Sequence, residues 1–95
     1  MERLDRTLVD PPKPWAWLEN EEKIGFAVKT SDFETAVKIL DEIAEVAVRL
    51  DHHPDLHIED WNTLRVESHS HLFGQVTDKD MQFAEAVRDL LKGKV

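Results

Sequence analysis

The run from residue 32 to residue 50 constrains this chain most. Phe33, Val37, Leu40, Ala44 and Ala47 recur at three-to-four spacing through Leu50, which predicts an amphipathic helix over 32–50. Ser31 followed three residues later by Glu34 predicts a capping box at its start. Pro54 biases His53 away from helical backbone, so the helix should end near the adjacent pair His52–His53. A helix with a single apolar stripe gains its stability from packing, so the rest of the chain must supply a surface to cover it.

Period-two patterns supply that surface. Ile24, Phe26 and Val28 alternate with Gly25, Ala27 and Lys29, and Trp15 to Leu18 precede them across a polar turn at Glu19 to Glu22, which reads as a hairpin. A second hairpin runs from Leu56–Ile58 through Asp60, Trp61 and Asn62. It continues into a strand where Leu64, Val66 and Ser68 face opposite to Arg65, Glu67, His69 and His71. Thr77 with Asp80 predicts a capping box opening a last helix that carries Met81, Ala84, Val87 and Leu91 and stops at Gly93. At the start, Leu4 and Leu8 suit a turn or two of helix before Asp10 to Pro14 halts it. The order β-β-α-β-β-α predicts an α+β fold, a four-stranded antiparallel sheet with two main helices on one face, as a single domain over 1–95. The opposite sheet face includes Ala16, Leu18, Gly25 and Ala27, which are not the charged set of a solvated surface, so an oligomer covering that face or extending the sheet edge is expected.

Composition removes several function classes. With 20 acidic against 12 basic residues the formal charge is −8, a field that repels nucleic acid. No apolar run approaches the roughly 20 residues of a membrane span, and the basic residues between Met1 and Pro14 are not followed by the apolar stretch of a secretory signal. The absence of cysteine rules out disulfides, thiolate nucleophiles and thiolate metal sites. An acidic, cytoplasmic domain is the expectation.

All five histidines lie between positions 52 and 71. Imidazoles titrate near neutrality, so a convergent set suits general acid and base work. His52 and His53 diverge on any regular element, but at a junction before Pro54 both can turn toward one concavity. His69 and His71, two apart on a strand, share a face. A metal site built from His52, His53, His57, His69 and His71 with Asp51 is the competing reading, against which stands the lack of a helical i, i+4 histidine pair. Ser68 and Ser70 have no nucleophile elbow, and Gly25, Gly74 and Gly93 do not form a phosphate cradle. Asp80 reads first as a helix cap, and Trp61 as a core anchor or as a flat platform beside the histidines.

In order, His52-His53-Pro54, then Trp61, His71 and Asp80 follow one another after six, nine and eight intervening residues. Together with Ser31-Asp32-Phe33 upstream and the stretch from Ser70 to Asp80 downstream, this set resembles the signature of the pterin-4a-carbinolamine dehydratases. The resemblance implies dehydration of a 4a-hydroxytetrahydropterin to the quinonoid dihydropterin, the recycling step of tetrahydrobiopterin after aromatic hydroxylation. It implies a homodimer or homotetramer, a small-molecule pterin substrate, and neither a metal nor an organic cofactor. By position it makes His52, His53 and His71 the catalytic histidines, and places His52 to Pro54, Trp61, Ser70, His71, Leu72, Phe73 and Asp80 against the pterin. The chemistry asks only that a proton reach the leaving hydroxyl while a ring nitrogen loses one; His52 and His71 are expected to exchange these protons while His53 positions the ring. The alternatives are a homologue serving another pterin pathway, such as molybdopterin metabolism, and a protein-interaction or transcriptional coactivator module. Three departures accompany the match: Val48 stands where the family has a polar residue, with Glu45 one turn earlier; the N-terminal helix is short; and the hairpin aromatic is Trp61.

Overall fold

The computed structural model describes residues 10–18, 22–70 and 75–94. Its elements are β1 (Ala16–Trp17), β2 (Ile24–Lys29), α1 (Phe33–Arg49), β3 (Asp55–Glu59), β4 (Thr63–Ser68) and α2 (Asp78–Leu91), in the expected β-β-α-β-β-α order. The strands form one antiparallel sheet in the order β1-β2-β4-β3. The segment containing α1 therefore carries the chain from β2 past the place that β4 later fills, and β4 returns between β2 and β3.

Both helices lie on one sheet face and share one core. Ile24 and Phe26 from β2, Leu64 and Val66 from β4, Ile39, Ile43 and Val46 from α1, and Phe83 and Val87 from α2 are all buried in it. Trp15 closes the core edge-on to Phe26 and Phe83, with ring centroids 4.8 and 5.8 Å away. The inward parity of β4 does not stop at Val66; Ser68 and, past the strand, Ser70 are buried as well.

The sequence reading of α1 needs two corrections. Its N-cap is Asp32, one residue later than Ser31, because the Asp32 carboxylate accepts from Thr35 N at 2.7 Å, while the Ser31 hydroxyl donates to Thr35 Oγ1. The buried stripe is Ala36, Ile39, Ile43, Val46 and Ala47, so Phe33 and Val37, assigned to the core from their spacing, face outward together with Val48. The helix thus has two adjacent apolar stripes, one in the core and one exposed.

The outer sheet face is mixed. On β3 and β4 it is charged: Arg65 pairs with Glu59 at 2.9 Å, and Lys23 reaches Glu67 at 3.5 Å and Asp55 at 3.8 Å. The β1–β2 half has the small residues expected. Gly25 is needed there, since a Cβ would lie 2.9 Å from the Val66 carbonyl oxygen and 3.2 Å from Leu18 Cδ1. At the far end, Thr30 and Asn62 exchange three hydrogen bonds of 2.8–3.0 Å, which tie the β3–β4 turn to the end of β2.

Candidate active site

The site is assembled by the way α1 ends. Leu50 caps the helix, Asp51 takes a left-handed backbone with φ 52°, and the next amides fold back: Asp51 N donates to Val48 O at 3.1 Å and His52 N to Ala47 O at 2.9 Å. This is a Schellman closure with aspartate in the place glycine usually takes. It turns His52 into the protein, where its side chain is 6% exposed and its ring lies 5.3 Å from that of Phe83.

There His52 meets a carboxylate. Its Nε2 is 2.7 Å from Ser68 Oγ and 2.9 Å from Asp80 Oδ1, while the Ser68 hydroxyl donates its only proton to Asp80 Oδ1 at 2.5 Å. Both neighbours of Nε2 are therefore acceptors, which assigns the ring proton to Nε2 and leaves Nδ1 as the nitrogen not committed to Asp80. The same geometry removes Ser68 as a nucleophile, because its proton is directed at the aspartate and not at the imidazole.

The other oxygen of Asp80 is equally occupied. Oδ2 accepts from Ser70 Oγ at 2.9 Å and from Thr77 N at 2.8 Å, and Ser70 Oγ lies 2.6 Å from Thr77 Oγ1. The capping box predicted from Thr77 and Asp80 thus forms, and it does more than cap. Burial pushes the Asp80 carboxyl up, but donors from His52, Ser68, the Thr77 backbone and Ser70 outweigh it and hold the group below the usual carboxylate range. A single buried anion ties together the α1–β3 junction, the end of β4 and the first turn of α2.

The structure brings His52, Pro54, Ser70 and Asp80 to one end of the sheet. Asp55 pairs with Glu67, so His53 and Pro54, which lead into β3, lie at the Ser68 end of β4. His53 is exposed and Pro54 half-buried. Asp80, expected among the ligand contacts, is wholly buried, with Oδ1 held by His52 and Ser68 and Oδ2 by Ser70 and Thr77 N.

Trp61 is not beside the His52–His53 pair of its own chain. With Asp60 it forms the β3–β4 turn, both residues at positive φ, at the opposite end of the hairpin and roughly 20 Å of strand from His53. It is 60% exposed there and belongs to neither the core nor a ring platform at His52. His57 is exposed on the outer sheet face, His69 is half-buried with the parity opposite to Ser68, and Glu45 and Val48 line a shallow groove on the solvent side of α1. His71, Leu72 and Phe73 lie outside the described residues. Among the described residues no three histidine or carboxylate side chains converge as metal ligands. The sequence reading missed Ser68; the signal was present, since a serine in the inward register of Leu64 and Val66 must find a buried partner.

Fold and site together define a small α+β protein whose histidine site is buttressed by a buried aspartate under an antiparallel sheet end. The family model of pterin 4 alpha carbinolamine dehydratase matches residues 2–90, and the chain belongs to that family. A Nocardia farcinica protein provisionally assigned as a pterin-4-alpha-carbinolamine dehydratase is 30% identical over 91 residues, 96% of this chain and 92% of its own. One from Saccharolobus islandicus with the same assignment is 38% identical over 80 residues, 84% of this chain and 80% of its own. The crystal structure of a Brucella melitensis transcriptional coactivator/pterin dehydratase superposes with a TM-score of 0.79 at 25% identity, covering 94% of this chain and 98% of that one.

Proposed function

We propose that this chain is a hydro-lyase that dehydrates a 4a-hydroxytetrahydropterin to the quinonoid dihydropterin, as in tetrahydrobiopterin recycling. The observation that carries this is the pairing of a sequestered His52, locked to Asp80, with an exposed His53 in the same His-His-Pro junction. In the reaction the C4a–O bond breaks, the hydroxyl leaves as water after accepting a proton, and a ring nitrogen gives one up. Imidazoles near neutral pKa match both transfers.

The exposures favour a division of labour different from the one expected from sequence. His52 has one nitrogen committed to Asp80 and little open surface, which suits a buttress that fixes the junction. His53 stands outside and suits proton exchange with the substrate, with His71 as its counterpart. Stopped-flow decay of the carbinolamine tests the reading: His53→Ala and His71→Ala should each lower kcat by about 10²-fold or more. Full activity in both variants would overturn it.

The assembly we propose is a homodimer or homotetramer held in part by the exposed stripe of α1, in which Phe33, Val37 and Val48 form a row that a monomer would leave in water. No helix among the described residues is long and apolar enough to cross a membrane. Together with the cysteine-free, acidic composition, this supports placing the enzyme in the cytoplasm.

A further inference from the structure

The two ends of α2 meet different surroundings. Its first turn holds Asp80, whereas its last turn, roughly 16 Å further along the axis, borders a cavity of about 300 Å³ lined by Lys13, Pro14, Val28, Arg88, Leu91 and Lys92. Pro14, Val28 and Leu91 give it an apolar floor, and three cations stand around them with no carboxylate in the lining.

That composition runs against the chain as a whole, which has 20 acidic and 12 basic residues. An acid flanks it: Asp89 accepts from Arg88 Nε at 3.1 Å and lies 3.6 Å from Lys92 Nζ. Arg88 and Lys92 alone could be explained as cations complementing a helix C-terminus. Lys13 cannot, because it comes from the opposite end of the sequence to the same rim and enters none of the ion pairs among the described residues.

We infer that this cavity binds a small organic anion with an apolar body, a carboxylate borne on an aromatic or branched aliphatic frame. The volume lies at the lower end of the range for small-molecule sites, which limits the body to about one ring. The floor removes that body from water, and Lys13, Lys92 and the planar fork of Arg88 meet the carboxylate. The site is separate from the His52 junction and needs none of its residues.

Methyl and amide NMR titration of the full chain with benzoate tests this, with benzamide as the uncharged isostere and inorganic phosphate as the anion without a body. Benzoate should give saturable shifts at Val28 and Leu91 that weaken as salt is raised, with benzamide giving none and phosphate binding more weakly. Lys13→Glu with Lys92→Glu, both at exposed positions, should weaken benzoate by about tenfold while leaving the circular dichroism spectrum and the dehydratase rate unchanged. The inference is overturned if benzoate gives no saturable shift, if benzamide or phosphate binds as well, or if the charge-reversed double variant binds benzoate as tightly.

Discussion

The Nε2 of His52 lies 2.9 Å from Oδ1 of Asp80, although they stand 28 positions apart and arrive from different elements. The aspartate is fully buried and its charge is balanced by hydrogen bonds more than by solvent. Asp80→Asn keeps the size but turns an amide toward Ser70 and Thr77 N or toward His52 and Ser68, all of which need an acceptor. A loss of about 2–4 kcal/mol in urea unfolding is expected, with dehydratase activity falling by at least tenfold.

The same carboxylate sets a pH dependence. Its folded pKa lies below its unfolded value, so its contribution to stability is present above the unfolded pKa and is lost as pH falls through the folded one. Unfolding free energy of the native chain should therefore decline below about pH 4, and more steeply than that of Asp80→Asn. Parallel acid-unfolding curves for the two proteins would show that Asp80 is not the linked group.

Ser68 donates to Asp80 and accepts from His52, a role that asks for a hydroxyl but not for reactivity. Ser68→Ala should cost about 1–2 kcal/mol and leave measurable dehydratase turnover, because neighbouring donors still hold the aspartate. Turnover falling as far as in His53→Ala would give the hydroxyl a part in the chemistry itself.

At Asp51 the left-handed backbone favours glycine. Asp51→Gly should be neutral or stabilising by up to about 1 kcal/mol and keep activity, whereas Asp51→Val should destabilise by about 1–2 kcal/mol and lower activity through His52. Thermal melts and turnover on the same preparations check both outcomes.

Val48 is 77% exposed on the outer stripe of α1, so a charge there costs the monomer little. Val48→Asp should shift sedimentation toward the monomer with an unchanged circular dichroism spectrum. A monomeric native chain at micromolar concentration would remove the proposed assembly outright.

The architecture was legible because each element announces itself locally: alternation in Ile24–Val28, a proline stop after His52-His53, and a capping pair at Thr77 and Asp80. The family was legible because its residues keep their order and spacing. Which stripe of α1 is buried was not, since 33-37-40-44 and 36-39-43-47 are both apolar at helical spacing, and only the position of the sheet chooses between them. Nor was the role of Asp80. A capping aspartate and an aspartate beneath a histidine look the same in sequence, and the contact with His52 exists only once α2 has packed against the end of α1. Where Trp61 stands was not legible either, because sequence distance from His52 and His53 says nothing of the hairpin's direction, which carries it away from that pair.

The Schellman closure at Asp51 makes the two ends of the second hairpin unequal in what insertions and deletions they would tolerate. At the His52 end, adding or removing one residue in α1 would swing the imidazole by about 100° around the helix axis and lift it off Asp80, so the length of that helix is part of the site. At the Trp61 end the turn is tied to Thr30 through Asn62 and lies at the far end of the hairpin, so it could be lengthened without moving any residue of the His52 cluster. Grafting a loop or a tag into this chain should therefore succeed at 60–61 and fail at 50–53.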